Sequence, residues 1–402
     1  MRFAAKLKDE SGQAMILTLL SMTVLLGFVG FAADVGTLLR AKRNLQIAAD
    51  SAAIAAAAEL NYADSTAAGQ AAAAQNGVVI GTNGGAVAIN TPPTEGAYEG
   101  QAGYVEAIVS QIQPTFFMNV FNISSQLVTA RAVATASTSN GCVYVLNPTS
   151  TAAMVVQGSF IVSSTSGCEV VVDSTDPAAL QINGAGALTA GSVGVAGPYS
   201  AQGGTSTPAP VPGMAQVSDP FGGMTAPTPA GCTTPPGALT GTITAGCYSA
   251  PAGSSLTLTN VTLGAGTYVL EGNVILSGTV TSSAGGTTLD IANGALSESP
   301  GTVLDLVAPT SGDYNGIAVM EPAPNANPMV LDLGNSSGLI DGIIYAPDAE
   351  LTLQNSSGNA GALQLTTDLI VNLLNDQVAS LTITNYSQTV SNSPLTKVAL
   401  VE

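Results

Sequence analysis

Six carboxylates have the side-chain type and spacing for acid–base chemistry in this chain. The 402 residues contain no His, which excludes Ser-His-Asp and Cys-His nucleophiles and His metal ligands. Paired carboxylates can still cleave glycosidic bonds. The candidates are Asp290, Asp305, Asp332, Asp341, Asp348 and Glu350. Beyond Arg43 the only basic residues are Arg131 and Lys397, so an anionic polysaccharide lacks a balancing cation. We therefore expect solvated turn carboxylates and no catalytic residue.

Motifs for metals and cofactors are missing from the sequence. It has no Asp-x-Asp-x-Asp-Gly loop and no Gly-Gly-x-Gly-x-Asp repeat, the two calcium patterns that short turns carry. Gly264-Ala265-Gly266 lacks the further Gly and the Lys of a phosphate-binding loop, so it is interpreted as a turn. We expect neither a metal site nor a bound cofactor.

Four cysteines provide the remaining chemistry, and all lie beyond residue 140. They are Cys142, Cys168, Cys232 and Cys247, which allow three disulfide pairings. We predict the local pairs, Cys142–Cys168 and Cys232–Cys247. Closing a loop of ~15 residues contributes about 3 kcal/mol in the chain-entropy model. Disulfides indicate an oxidising compartment.

An uncharged apolar run extends from Ala14 to Ala33, long enough to cross a bilayer as a helix. It is too long for the core of a cleaved signal, so we expect a retained anchor. Six of the eight basic residues flank it evenly: Arg2, Lys6, Lys8, Arg40, Lys42 and Arg43. Flanking charge therefore gives no orientation. The acidic, cysteine-bearing remainder favours an amino terminus inside and a carboxyl terminus outside.

Composition narrows the function further. The formal net charge of −18 argues against nucleic-acid partners, which require a basic face. Charged residues make up only 8% of the chain, while 46% are hydrophobic and alternate in many short runs. This pattern indicates folded β structure rather than disorder.

We predict a multi-domain protein with four parts. Residues 1–76 comprise a cytoplasmic tip, the transmembrane anchor and an Ala-rich helix that continues to about Asn76. Alanine is the strongest helix former, and the helix serves as a stalk or as a packing surface for other copies or partner subunits. Residues 77–140 form a small α+β unit whose core holds Phe116, Phe117 and Phe121. Residues 391–402 are a tail.

Residues 141–390 form the main β domain. Asn335-Ser336-Ser337-Gly338 recurs as Asn355-Ser356-Ser357-Gly358. This spacing aligns Leu331 with Leu351 and Leu333 with Leu353. A strand–turn–strand repeat near 20 residues predicts a β-solenoid, also called a β-helix, with a β-sandwich as the alternative. Nine prolines at 198–237 predict an irregular arm or hinge there.

Three segments near the amino terminus carry a resemblance to a known family. They are Glu10–Ala14, Ala33–Gly36 and Arg43–Ala55, with Leu45-Gln46-Ile47-Ala48-Ala49-Asp50-Ser51-Ala52-Ala53 at their centre. Together with the apolar run they resemble the TadE/TadG-like proteins of tight-adherence (Flp) pilus assembly. Pro114–Phe117 and Ala130–Ala132 are similar to the family's next segment. Gly266–Leu270 and Gly342–Pro347 resemble repetitive β regions appended to some members.

The resemblance implies a non-enzymatic pilus-assembly or pilus-anchoring protein. It is expected in the bacterial inner membrane with a single pass and a periplasmic carboxyl part. Implied partners are the lipid bilayer, other pilus or envelope proteins, and a second copy through the Ala-rich helix. There is no Asp-x-Ser-x-Ser motif of a von Willebrand A domain. The apolar run contains no Glu, which argues against prepilin processing after Gly12. The alternatives are a surface adhesin rod and a solenoid enzyme acting on polysaccharide.

Overall fold

The computed structural model describes residues 11–60, 64–138, 141–163, 167–333, 340–356, 363–387, 389–390 and 395–402. The chain forms two compact units. The first comprises Met1–Ser137 together with Thr396–Glu402, and the second comprises Thr138–Leu395. The second unit is therefore inserted in the sequence of the first.

Two helices open the first unit, where the sequence predicts one. Helix α1 spans Ser11–Ala58 and helix α2 spans Ser65–Gln75. The second begins because the Asp64 carboxylate accepts hydrogen bonds from the N–H groups of Thr66 and Ala67, at 3.0 and 3.1 Å. This is an N-cap, which starts a new helix rather than continuing the old one.

The sheet of the first unit is antiparallel. Its strands β1 (Ala86–Asn90), β2 (Tyr104–Pro114) and β3 (Ser125–Thr138) pair in that order. The Ala-rich half of α1 packs here as part of the core instead of forming a free stalk. The fully buried residues on α1 are Ala48, Ala49, Ala52, Ala53, Ala56 and Ala57. They pack in one cluster with buried residues of β2 and β3 such as Val105, Ala107 and Ala132.

Within the described residues, the second unit has 25 strands in one hydrogen-bonded network. Their bounds are β4 Gly141–Val145, β5 Met154–Val156, β6 Ser159–Ser163, β7 Glu169–Val172, β8 Leu180–Asn183, β9 Ala187–Thr189, β10 Ser192–Val195, β11 Tyr199–Gln202, β12 Thr205–Thr207, β13 Val211–Pro212, β14 Leu239–Ile243, β15 Gly246–Ser249, β16 Leu256–Leu263, β17 Gly266–Glu271, β18 Val274–Ser282, β19 Thr287–Asn293, β20 Leu296–Glu298, β21 Val303–Val307, β22 Ile317–Met320, β23 Met329–Asp332, β24 Ile340–Asp341, β25 Ile343–Gln354, β26 Leu363–Thr366, β27 Leu369–Asp376 and β28 Ser380–Thr384.

A last strand, β29 (Thr396–Leu400), follows the second unit and belongs to the sheet of the first, beside β3. Just past it, the Val133 N–H donates to the Glu402 carbonyl at 2.7 Å, and the Val401 N–H donates to the Val133 carbonyl at 2.9 Å. The segment that the sequence suggests is a tail thus completes a sheet, because β3 offers a free edge that a second strand can satisfy.

The strands of the second unit pair in parallel with strands two or three positions later. Strand β16 pairs with β18, and β17 pairs with β19. Alternating residues point to one shared interior, so Leu256 and Leu258 are fully buried. The second unit is a mostly β structure built on a large parallel sheet.

The register of the Leu repeat differs from the sequence prediction. Leu353 pairs with Leu331, and Leu351 pairs with Met329, so the offset is 22 residues rather than 20. A shift of two residues keeps the same side chains on the buried face, and sequence alternation alone does not distinguish the two registers. Leu333 and Leu353 are both buried, at 2% and 0% exposure. The turn half of the repeat, Asn335–Gly338, lies outside the described residues.

The pairing order does not follow the chain order. Strand β27 pairs with β4 and β5, and β28 pairs with β6. The chain therefore enters this network in the middle and runs through β7–β9 and β10–β12 to β13 at one end. It resumes at β14 and β15, at the opposite end, and returns to the middle at β28.

Residues 213–238, which we call the crossing segment, connect those two ends. The predicted irregular arm began at residue 198, but β11, β12 and β13 occupy its first part. Prolines are tolerated there because they lie outside the strands or at a strand end, as Pro212 does. The crossing segment itself contains no strand among the described residues.

Candidate functional site

The first half of α1 exposes its apolar side chains. From Met15 to Phe31 the large apolar residues are exposed by 52–73%. The helix is long and apolar enough to cross a membrane. A helix that is apolar all round and unburied fits a bilayer rather than a protein core.

The second half of the same helix is the core of the first unit. Its Ala face meets α2 so closely that a Cβ added to Gly69 would lie 3.1 Å from the Ala52 carbonyl oxygen. Since α1 is continuous from Ser11 to Ala58, no flexible linker separates the apolar run from the folded unit. The Ala face predicted to bind other copies is thus already covered by the chain itself.

Asp34, the first charged residue after the apolar run, holds the loop between β2 and β3. Its buried carboxylate accepts hydrogen bonds from the N–H groups of Phe116 (3.0 Å) and Met118 (2.6 Å). One turn earlier, the Phe117 ring covers Gly30, where an added Cβ would lie 2.5 Å from the ring. The end of the apolar run is therefore a docking point for this loop.

The phenylalanines of that loop correct the sequence prediction. Phe116, Phe117 and Phe121 are exposed by 70%, 53% and 77%, so they are not the core of the α+β unit. The core consists instead of small residues of α1 together with Val and Ala residues of the sheet. A cluster of Phe in the sequence does not show whether the rings face the core or the outside of the unit.

A buried ion pair ties the sheet together. Glu106 on β2 is fully buried and lies 2.5 Å from Nε of Arg131 on β3. Arg131 also pairs with Glu402 at 2.9 Å. Glu106 further accepts hydrogen bonds from Asn90 (2.8 Å) and from the Thr94 hydroxyl (2.6 Å).

The hydrogen bonds decide the charge of Glu106. Burial raises the pKa of this carboxyl, but hydrogen bonds from Thr94, Asn90 and Arg131 outweigh burial and lower the pKa to about 2. Burial likewise lowers the pKa of Arg131, yet its bonds to Glu106 and Glu402 raise it overall. The pair is therefore ionised across the physiological range. Together with Glu402, it links β2, β3 and the segment that follows β29.

The structure places the six carboxylates that could do chemistry on five strands, β19, β21, β23, β24 and β25. Asp290 and Asp332 are buried on β19 and β23. The other four lie nearer the surface: Asp305 and Asp348 are exposed, and Asp341 and Glu350 are partly exposed. Asp332 accepts hydrogen bonds from the Ser356 N–H (3.1 Å) and the Gln354 side-chain amide (3.3 Å). These are contacts that close turns.

The cysteines lie in the predicted local pairs, each at disulfide distance. The Cα atoms of Cys142 and Cys168 are 5.7 Å apart, and those of Cys232 and Cys247 are 4.4 Å apart. Cys232 belongs to the crossing segment and Cys247 to β15. The second pair therefore fastens one end of that segment to the sheet.

The crossing segment covers one row of the sheet. Successive paired positions in this row are Cys247, Val269, Asp290, Met320, Tyr345, Ile370, Tyr144, Val171, Gly194 and Val211. Met214 lies over Gly194, where an added Cβ would be 1.8 Å from its sulfur. Phe221 packs edge-to-face on Tyr345 with ring centroids 5.4 Å apart.

Hydrogen bonds fasten the crossing segment along this row. The Val217 N–H donates to the Asp173 carboxylate at 3.0 Å, and the Tyr345 hydroxyl donates to Asp219 at 2.7 Å. The Tyr314 hydroxyl donates to the Thr225 carbonyl at 3.0 Å. The segment is thus held against the sheet at several points along its length.

Several further acids are buried in the folded chain, and the sequence does not mark them as candidates. Besides the candidates Asp290 and Asp332, five acids of the second unit are buried: Asp173, Glu298, Glu321, Asp368 and Asp376. Burial raises the pKa of Asp290 to about 7 and that of Glu321 to about 8. Both oxygens of each of these two carboxyls lack a hydrogen-bond partner among the described residues. No periodicity marks them, since acids at alternating strand positions ordinarily face solvent.

We expect Glu321→Gln to stabilise the second unit at alkaline pH. A folded-state pKa of about 8, above the ordinary 4.5, means that the native state resists ionisation. Stability is then complete below pH 4.5 and is lost as the pH rises through 8. The substitution should raise the free energy of unfolding by about 1–3 kcal/mol at pH 8.5 and change it little at pH 4.5.

Urea unfolding of the detergent-solubilised protein at both pH values measures this effect. Asp348→Asn, which changes an exposed carboxylate, is the matched control and should show no such pH dependence. Equal effects of Glu321→Gln at the two pH values would contradict the prediction.

Comparison with known families identifies the anchor helix. Residues 12–59 match the family model of the putative Flp pilus-assembly TadE/G-like proteins. The TadE/G-like match covers α1 almost from end to end, both its membrane half and its buried Ala half. Searches of curated proteins and of solved structures gave no match. The chain is thus a membrane-anchored, single-pass protein with a TadE/G-like anchor, consistent with an envelope role related to Tad pili.

Proposed function

We propose that the protein is a non-enzymatic, TadG-like component that assembles or anchors Flp/Tad-type pili. The observation that carries this proposal is the TadE/G-like match over α1, a helix that joins the membrane span to a folded unit without a linker. Such a helix can transmit a fixed position from the bilayer to partner proteins. The dispersed carboxylates of the second unit support a structural role over polysaccharide cleavage.

We further propose that the second unit is a β-solenoid held in the periplasm, with the anchor in the inner membrane. Parallel pairing of each strand with one about a turn later supports the solenoid. The two cysteine pairs at disulfide distance support an oxidising compartment. Partners would be other pilus or envelope proteins. Self-association stays a prediction, and it requires a surface other than the buried Ala face.

Deleting Met15–Phe31 is expected to release the protein from membranes and abolish pili. Among the described residues, α1 is the one helix long and apolar enough to span a bilayer with its backbone groups paired, so its apolar run holds the chain as an integral protein. Fractionation after a high-salt wash and electron-microscopic counting of pili measure the two effects. Replacing residues 15–31 with an unrelated apolar run of equal length is the control, and it should restore membrane attachment.

Three outcomes would each overturn a part of the proposal. Normal piliation in cells that lack the protein would remove the pilus role. Cleavage of the second unit by protease added to intact cells would favour a surface adhesin, whereas cleavage only after the outer membrane is opened supports periplasmic confinement. Four alkylatable thiols in protein from the envelope would place the second unit in the cytoplasm.

A further inference from the structure

The loop between β2 and β3, with the adjoining start of β3, forms an exposed apolar tip at residues 116–127. Its most exposed large apolar side chains are Phe116 (70%), Phe117 (53%), Val120 (81%), Phe121 (77%) and Leu127 (63%), and they alternate with exposed polar residues such as Asn119 and Asn122. No charged residue occurs between Glu106 and Arg131. Contiguous exposed apolar groups of this kind mark an interaction surface.

The depth of the tip along α1 indicates what covers it. Phe117 packs on Gly30, three residues before the apolar run ends at Ala33, and Asp34 binds the N–H groups of Phe116 and Met118. At a rise of 1.5 Å per residue, Gly30 lies about 5 Å inside the end of the run. The tip is therefore level with the edge of the bilayer that α1 spans.

Several backbone N–H groups of the tip are paired within the protein, as entry into an apolar environment requires. Two of the N–H groups donate to Asp34, as described above. Three more donate to backbone carbonyls at 3.0–3.2 Å: Val120 to Phe117, Asn122 to Asn119 and Ile123 to Met118. Backbone groups must be paired in this way before a loop can enter lipid, since unpaired groups cost several kcal/mol there.

Basic residues follow further along α1, towards its carboxyl end. Arg40, Lys42 and Arg43 come seven to ten residues after Ala33, and the Lys42 ammonium donates to the Thr129 carbonyl at the base of the tip. Apolar groups bordered by basic ones are typical of segments that lie in a membrane interface.

We propose that the apolar tip inserts into the bilayer interface beside α1 and gives the protein a second membrane contact. Two contacts, a span and a tip, fix the tilt and rotation of the first unit on the membrane, which a single helix does not. The proposal rests on membrane anchoring alone and is independent of the pilus role.

Tryptophan fluorescence tests the proposal directly, because the chain contains no Trp. Phe121→Trp and Val120→Trp place a single probe on the tip of the full-length protein. Ile54→Trp, at an exposed site on α1 about 30 Å beyond the apolar run, is the matched control. Each variant is reconstituted into phospholipid vesicles with bromine at a shallow acyl position, and circular dichroism verifies folding.

For the tip probes we expect blue-shifted emission and roughly twofold more bromolipid quenching than for Ile54→Trp. Solvent-like, unquenched emission from both tip probes would overturn the proposal. Blue-shifted emission that bromolipid does not quench, and that fades as the protein is diluted in lipid, would show that a second copy covers the tip. That result would also overturn it.

Discussion

Glu106→Gln is expected to destabilise the first unit by about 1–3 kcal/mol at neutral pH, because hydrogen-bond donors to a buried carboxylate lose their charged acceptor. The side chain is fully buried, and its carboxylate receives bonds from Arg131, Asn90 and Thr94. Gln keeps the shape but leaves the Arg131 guanidinium without its buried partner. Hydrogen exchange of β2 and β3 in the detergent-solubilised full-length protein measures the loss.

The same carboxylate predicts acid sensitivity with a defined window. The folded-state pKa of Glu106 is about 2, below the ordinary 4.5, so its stabilising effect is present above pH 4.5 and is lost as the pH falls through 2. Glu402→Gln is the control, because its side chain is 40% exposed and surface pairs contribute at most about 1 kcal/mol. Equal losses in the two variants would contradict the central role of Glu106.

Leu353→Ala is expected to destabilise the second unit by about 2–5 kcal/mol, from lost transfer energy and the cavity that remains. Leu353 is fully buried and lies between Leu331 on β23 and Asp376 on β27 in the pairing order. In a structure where each strand contacts mainly its neighbours, exchange should increase first in β23, β25 and β27.

Thr352→Ala is the matched control for this prediction. Thr352 is the adjacent residue on the same strand and is only partly buried, so its replacement should cost less than about 1 kcal/mol. A cost for Leu353→Ala as small as that of the control would place Leu353 outside the core.

Local patterns in the sequence were enough to predict several of the elements, although not the break between α1 and α2 or strand β29. The uncharged run from Ala14 to Ala33 determines a membrane helix, because its length and apolarity act independently of the rest of the chain. Alanine favours helix through residues 45–58, and alternation of Leu and Thr favours strands such as β16. The short spacing of Cys232 and Cys247 likewise favours the local pair that the structure contains.

Tertiary structure alone decided how those elements are placed against each other. A shift of two residues leaves strand alternation unchanged, so the pairing of Leu353 with Leu331 is set by the neighbouring strands. The predicted tail became β29 because a distant strand, β3, has an edge to pair with. The three Phe of the tip are exposed, whereas small side chains of α1 fill the core.

The titratable residues show most clearly the difference between what the sequence determines and what the folded structure determines. Glu106 and Arg131 are 25 residues apart in the sequence, and only the antiparallel register of β2 and β3 brings them together. Asp290 is buried in the row that the crossing segment covers, whereas its sequence neighbours suggest a solvated position. A pKa depends on burial and on partners, and both are properties of the folded chain. The sequence determined the membrane helix, the alternating strands and the spacing of the cysteines, while the packing determined which acids are charged.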